Sequence, residues 1–161
     1  MSIHKCESPA MPWPSSVDYN AAIQNLRLNA GERTGLRHCE VARNQLRLPL
    51  RWVGNFAAVY KVHCPQTNRT YAVKCFTRHV PHRQLRYREI AKHLEGADLP
   101  FTVDFKYLDE GIRVNGVWYP IVKMSWIEGH QLNKFVGDYL NRPVVLRQLL
   151  DWWPRGSARR R

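Results

Sequence analysis

The dipeptide Asn115-Gly116 limits what the second half of this chain can fold into. It separates two runs, 111–114 and 117–124, that are rich in β-branched and aromatic residues. Asn-Gly tolerates the positive φ angles of a type I′ turn, which joins neighbouring antiparallel strands. The sequence therefore predicts a β-hairpin here, within a domain built around an antiparallel sheet.

Further segments with the composition of β-strands lie on either side of short polar or helical stretches upstream of this hairpin. Residues 58–63 and 70–76 are rich in strand-forming types, and the polar stretch 65–69 between them has the composition of a turn. Residues 101–108 alternate aromatic with polar or small side chains, which is typical of a strand with one buried face. These segments predict a second hairpin and one further strand.

Helical patterns lie between and after the strands. Residues 81–94 predict an amphipathic helix, with Gly96 suited to a left-handed C-terminal cap. Residues 132–140 and 144–150 also predict helices, and Pro143 suits a first helical turn. The apolar positions of the first helix are Leu85, Ile90 and Leu94.

The resulting fold class is α+β, with a mostly antiparallel five-stranded sheet, one helix packed on it and short helices after it. Residues 1–47 are expected to form an N-terminal extension packed on the main domain. Within it, the segment 19–24 fits a short strand or a helical turn. The main domain is expected over residues 48–132, and residues 133–161 contain the last helices and an arginine-rich tail.

The chain is strongly basic, since 25 Lys and Arg against 13 Asp and Glu give a net charge of +12. This charge attracts polyanions, including nucleic acid, anionic lipid surfaces and nucleotide phosphates. No apolar run reaches the roughly 18 residues that a membrane helix requires, and the N-terminus lacks the apolar stretch of a signal peptide. We therefore expect a cytoplasmic protein without a membrane segment.

The four cysteines are scattered along the chain and form no C-x-x-C pair. Neither they nor the nearby histidines match the spacing of a zinc site. We expect free thiols in a reducing compartment and no bound metal. The cysteines are Cys6, Cys39, Cys64 and Cys75.

A glycine, a lysine and a glutamate follow one another in an order that suits a nucleotide site. Gly54 lies in a predicted turn, where a missing Cβ lets backbone N–H groups approach phosphate oxygens. Lys74 lies on the second predicted strand after this turn, and Glu89 lies on the helix that follows. A strand lysine held by a helix glutamate can contact the α and β phosphates of a nucleotide. Singly, these residues are typical of a hairpin turn, an edge strand and a solvated helix face.

At these positions the sequence resembles the small lobe of eukaryotic-like serine/threonine protein kinases. The kinase loop G-x-G-x-x-G-x-V aligns with residues 52–59, which keep the second glycine, the aromatic tip and the closing valine. Trp52 and Ala57 stand in place of the first and third glycines. The V-A-I-K strand aligns with residues 71–74, and residues 121–132 look like the last strand and the hinge.

The resemblance covers about residues 48–150 and implies a protein-kinase N-lobe-like fold with ATP held between the loop and the hinge. Residues 13–25, together with 54–57 and 111–114, resemble an uncharacterised bacterial group of protein-kinase-like proteins. Lys74 is implied to contact the phosphates with Glu89 as its partner, and Met124 takes the gatekeeper position. The implied ATP-binding residues are Gly54, Phe56, Val59, Ala72, Lys74, Glu89, Met124, Ser125 and Ile127.

The motifs H-R-D-x-x-x-x-N and D-F-G supply the catalytic base and the magnesium ligands of kinases, and neither occurs in this chain. We therefore expect no catalytic and no metal-binding residues, and no phosphate transfer by the chain alone. Magnesium would be bound only with a large lobe. The expected origin is an interrupted gene or a truncated product of a kinase-like transferase.

Two other functions fit the sequence. A nucleic-acid-binding protein would use the basic residues between 78 and 88 and the tail 155–161, although most aromatic residues alternate into a core. A docking module would use an apolar face around Met124, Trp126 and Leu132, which a partner protein would cover.

Overall fold

An antiparallel sheet of six strands organises the described part of the chain, which has an α+β fold. The computed structural model describes residues 12–97, 103 and 105–157. Along the sheet the strand order is β1-β3-β4-β6-β5, and β2 pairs with β3 beside this path. The strands are β1 (Glu40–Val41), β2 (Arg51–Val53), β3 (Ala57–Cys64), β4 (Arg69–Phe76), β5 (Phe105–Val114) and β6 (Val117–Ser125).

Helices precede, interrupt and follow the sheet. They are α1 (Ser16–Ile23), α2 (Leu26–Asn29), a 3-10 turn at Glu32–Thr34, α3 (Arg83–Ala97), α4 (Leu132–Asp138) and α5 (Pro143–Ser157). None of the helices among the described residues combines the length and the apolar character required to cross a lipid bilayer.

The predicted hairpins are confirmed. Strand β3 pairs with β4 along its whole length, and β5 pairs with β6. Asn115 and Gly116 have φ angles of 50° and 85°, as a type I′ turn requires. The sheet has one strand more than the five predicted, because Glu40–Val41 and Arg51–Val53 each pair with β3, while two of the predicted strands form a single one.

Strand β5 is longer than predicted. The sequence indicated two strands, 101–108 and 111–114, whereas one strand runs across both, with an irregular register between Leu108 and Ile112. At this irregularity a Cβ on Gly111 would lie 2.3 Å from Cγ1 of Ile121, so only glycine fits there. Residues 101, 102 and 104 of the prediction lie outside the described residues.

The N-terminal segment folds onto one face of the sheet, which we call the covered face. Its ambiguous stretch is helical, because Ser15 and Asp18 cap α1 through reciprocal side-chain and backbone hydrogen bonds. Further along, a Cβ on Gly31 would lie 1.9 Å from the carbonyl oxygen of Glu110, so the backbones are in direct contact. The segment thereby supplies half of the main core. Its buried apolar residues are Tyr19, Ala22, Ile23, Leu26, Ala30, Leu36, Cys39 and Val41.

The expectation of free thiols is wrong for two cysteines. Cys39 and Cys64 form a disulfide, with their Cα atoms 4.1 Å apart. They are brought together because β1 and β3 pair Glu40 with His63, which leaves the two cysteines facing each other at the next position. Cys75 is free and buried, as expected, and Cys6 lies outside the described residues.

Two predictions about helix ends and helix faces are also wrong. Gly96 lies inside α3 and does not cap it at the predicted position. Leu85 and Ile90 are exposed, because α3 turns a different side of its surface, including Arg83 and Tyr87, towards the sheet. Helix α5 extends to Ser157 and therefore continues past residue 150, where the predicted helix ended.

Candidate functional site

The sheet surface opposite the covered face, which we call the open face, collects the predicted nucleotide-binding strand residues. Val59 on β3 lies directly opposite Lys74 on β4, and Ala72 lies opposite Met124 on β6. Directly paired residues of antiparallel strands project from the same face. These four side chains therefore share one surface.

Lys74 is the charged group at the centre of this surface. It is half-buried, and its Nζ donates a hydrogen bond of 3.2 Å to the hydroxyl of Tyr87 on α3. The same Nζ lies 5.7 Å from the ring centre of Phe76 and 5.9 Å from that of Tyr87. The ammonium group is thus held over aromatic rings by a neutral partner, and no carboxylate of the described residues forms an ion pair with it.

The predicted ion pair between Lys74 and Glu89 is not formed. Glu89 is exposed, and no ion pair joins it to Lys74 in the structure. Two positions apart on a helix correspond to about 200°, so Glu89 points away when Tyr87 faces the sheet. Sequence reasoning missed Tyr87 because it took the apolar stripe of the helix from its leucines and isoleucine.

An aromatic cluster attaches α3 to one end of the open face. Tyr87 stacks on Tyr107 with ring centres 5.4 Å apart and planes 19° apart. Its ring also lies 5.8 Å from that of Phe76 and 5.9 Å from that of Phe105. These contacts fix the position of α3 relative to Lys74, because each aromatic pair constrains both distance and orientation.

A second aromatic group borders the other side of the open face. The rings of Trp52 and Trp126 have centres 5.0 Å apart, and Lys61 Nζ lies 4.8 Å above the ring of Trp126. Lys61 also forms an ion pair with Glu128. The hydrogen bond from Lys61 is the main reason why the pKa of Glu128 is lowered. Sequence reasoning did not identify Lys61, whose position on the open face follows from its pairing with Ala72.

The predicted phosphate loop is a tight turn between β2 and β3. The N–H of Gly54 donates to the carbonyl of Ala57 at 2.9 Å. A Cβ at Gly54 would meet that carbonyl oxygen at 3.8 Å, an ordinary contact, so the turn does not require glycine. Phe56 is exposed at the tip, and its ring centre lies 5.8 Å from the guanidinium carbon of Arg78.

The predicted hinge follows β6. Ser125 ends the strand opposite Tyr71, and the N–H of Trp126 donates to the carbonyl of Thr70 at 3.0 Å. Ile127 is exposed, and Leu132 at the start of α4 is exposed as well. Apolar side chains therefore continue beyond the sheet on this side.

Two cavities are lined by described residues, and both have Tyr107 of the aromatic cluster in their lining. One, of about 620 Å³, lies between the N-terminal segment and β5, and includes Glu32, Arg37 and Asp109 in its lining. The other, of about 370 Å³, lies at the start of α3. None of the predicted nucleotide-binding residues lines either cavity.

Comparisons with known proteins add no assignment: no protein-family model, curated protein or solved structure matches the chain. Among the described residues, no group of three or more His, Cys, Asp or Glu side chains is arranged to hold a metal ion. The case for any function therefore depends on the geometry of the open face.

Proposed function

We propose that the chain is the ATP-binding small lobe of a protein-kinase-like domain, and that ATP binds on the open face. The observation that supports this proposal is the register of β3, β4 and β6, in which Val59, Ala72 and Met124 surround Lys74. A lysine beside small and apolar side chains suits a ligand that has phosphates at one end and a flat base at the other.

Each part of the surface has a role in this proposal. The adenine lies against Val59 and Ala72, where the small alanine side chain leaves room for a ring. The α and β phosphates lie near Lys74, whose ammonium group forms no ion pair with any carboxylate of the described residues. Backbone groups of Ser125 and Ile127 contact the edge of the adenine, and Gly54 and Phe56 cover the phosphates.

Glu89 has no direct role in the ATP site that we propose. Tyr87 takes its place as the side chain that positions Lys74, at a hydrogen-bond distance of 3.2 Å. A neutral tyrosine holds the ammonium group without cancelling its charge. The charge of Lys74 therefore remains available to the phosphates.

Calorimetric titration with ATP and magnesium tests this proposal. Wild-type protein is expected to bind saturably, and Lys74→Ala to bind at least about tenfold more weakly, which corresponds to about 1.4 kcal/mol. Lys106→Ala is the matched control, because Lys106 is an exposed lysine of the same sheet on the opposite face. Its affinity for ATP should equal that of the wild type.

Inorganic triphosphate separates recognition of the nucleotide from attraction to a chain with a net charge of +12. We expect ATP to bind more tightly, because only ATP has a base to lie against Val59 and Ala72. Equal affinities would leave only a general attraction to polyanions, as in the nucleic-acid alternative. An absence of binding in a folded sample would contradict the proposal and leave the open face as a docking surface for a partner protein.

A further inference from the structure

Helices α4 and α5 contribute no residue to the core of the described chain. None of the residues 123–152 is buried, and this range includes all of α4 and the first ten residues of α5. Large apolar side chains are among the exposed ones, with Leu140 66% and Leu150 69% exposed. A helix of a folded domain normally buries its apolar stripe, since tertiary packing supplies most of its stability. The rest of the described chain therefore covers the apolar surface of these helices only in part.

The apolar residues of α5 lie mainly on one side of the helix. At about 100° per residue, five of them fall within an arc of about 160°, which we call the apolar strip. The other side carries Arg147, Gln148 and Asp151. Along the strip the first residues are half-buried, and the last two, Leu150 and Trp152, are exposed. The strip consists of Val145, Leu146, Leu149, Leu150 and Trp152.

Positive charge surrounds this strip. Arg142 lies just before α5 and Arg147 within it, and both are exposed and form no ion pair in the described part of the chain. Arg147 lies about 60° around the helix from Leu150, at the edge of the strip. From residue 131 onward the sequence contains seven Lys or Arg against two Asp. Four of these basic residues follow Trp152 in the sequence, namely Arg155, Arg159, Arg160 and Arg161.

The combination of an apolar strip with basic surroundings distinguishes between the partners that could cover α5. A second copy of the chain would bring the same positive charge against it, and like charges repel. Nucleic acid would match the charge and leave the apolar strip in water. An anionic lipid surface offers phosphates to the arginines and acyl chains to the apolar residues. Tryptophan next to leucine and valine, with arginine opposite, is typical of helices that lie at such an interface.

We propose that α5 docks on the surface of an anionic lipid bilayer. The helix lies in the plane of the membrane, with Leu150 and Trp152 inserted at the boundary between headgroups and acyl chains. Arg147 extends from the edge of the strip to the lipid phosphates, as long basic side chains do beside an apolar surface. This surface is separate from the proposed ATP site, since none of the residues assigned to ATP lies on α5.

Co-sedimentation of the full chain with lipid vesicles tests the proposal. We expect binding to vesicles made of equal amounts of phosphatidylcholine and phosphatidylglycerol. Binding to vesicles of phosphatidylcholine alone should be at least about tenfold weaker, because the basic residues are attracted to anionic lipid. Sodium chloride should weaken binding to the mixed vesicles, since salt screens this attraction.

Two exposed apolar residues of α5 form a matched pair of variants. Leu150 is 69% exposed and belongs to the apolar strip, whereas Val144 is 68% exposed and lies on the other side of the helix. Leu150→Ser should weaken binding to the mixed vesicles at least about threefold, and Trp152→Ser at least about tenfold. Val144→Ser should stay within about twofold of the wild type. All three side chains are exposed, so these changes should leave the fold intact.

The vesicle result is independent of the ATP proposal, because Lys74→Ala should bind vesicles like the wild type. The docking proposal would be overturned if folded wild-type protein did not sediment with the mixed vesicles. A dimer in light scattering would then assign α5 to a contact with a second copy of the chain. Equal binding to the two kinds of vesicle, or equal losses in Val144→Ser and Leu150→Ser, would also overturn it.

Discussion

The two faces of the sheet differ in what covers them. On the covered face, Tyr60, Val62 and Ile121 are completely buried beneath the N-terminal segment of the same chain. On the open face, Lys74 and Met124 are half-buried and Trp52 is exposed. An antiparallel sheet commonly has one packed face and one polar, solvated face. Here the second face carries apolar and aromatic residues around two lysines, which is typical of a binding surface.

The largest expected difference between the faces concerns the disulfide, which joins β1 to β3 within the core of the covered face. It closes a loop with a sequence separation of 25, so reduction should lower the free energy of unfolding by about 3 kcal/mol. Urea unfolding with and without a reducing agent measures this change.

Thiol counting under denaturing conditions provides the control. Cys39 and Cys64 are paired and Cys75 is free, so reduction should raise the number of reactive thiols by two. The double variant Cys39→Ala, Cys64→Ala should not respond to the reducing agent. An unchanged wild-type stability on reduction would mean that packing alone holds β1 in position.

A matched pair of valines on β3 tests the comparison directly. Val62 lies on the covered face with 0% exposure, and Val59 lies on the open face and is half-buried. Val62→Ala should lower the free energy of unfolding by about 2 kcal/mol, because it removes buried methyl groups and leaves a cavity. Val59→Ala should cost about 1 kcal/mol or less. Equal losses in urea unfolding would show that the open face is packed as tightly as the covered one.

A further expected effect depends on pH and concerns two buried tyrosines of the covered face. Burial raises the pKa of Tyr19 and Tyr60 well above the ordinary value of 10.0. Below pH 10 both hydroxyls stay protonated whether the chain is folded or not, so their contribution to stability is complete. Above pH 10 the unfolded chain loses these protons and the folded chain does not. Stability should therefore fall by up to about 1.4 kcal/mol per pH unit for each group.

Tyr60→Phe is the variant that isolates one of these groups. The hydroxyl of Tyr60 lies 2.9 Å from Oδ1 of Asn20 and 3.1 Å from the carbonyl of Ser16. Loss of this hydroxyl should lower the free energy of unfolding by about 1 kcal/mol at pH 7. It should also make that free energy decline less between about pH 10 and 12. The open-face variant Val59→Ala should keep the full decline of stability with pH. An unchanged slope in Tyr60→Phe would assign the alkaline unfolding to other groups.

The strands and hairpins could be predicted because their determinants are local. The Asn115-Gly116 turn and the alternation within β3 and β4 depend on neighbouring residues only. The capping pair Ser15 and Asp18 was an equally local indication of helix α1, and it could have resolved the ambiguity of the N-terminal segment.

The features that could not be predicted depend on residues far apart in the sequence. A two-residue strand such as β1 has too little pattern to detect, so the disulfide that follows from its pairing was missed. The side of α3 that faces the sheet is chosen by tertiary packing, and this choice exchanged Glu89 for Tyr87 beside Lys74. The strand residues predicted for the ATP site do share a face, because side chains alternate between the two faces along each strand and the sequence pattern shows this alternation.

The docking of the N-terminal segment has a consequence for how the chain is made. Lys123 Nζ bonds to the carbonyl of Thr34 across a sequence separation of 89, and the hydroxyl of Tyr19 to the carbonyl of Phe76 across 57. During synthesis the N-terminal segment therefore leaves the ribosome well before the strands it packs against have been translated. Contacts of such long separation form slowly, and apolar residues of the waiting segment are exposed meanwhile. Premature association of nascent chains should accordingly begin at this segment.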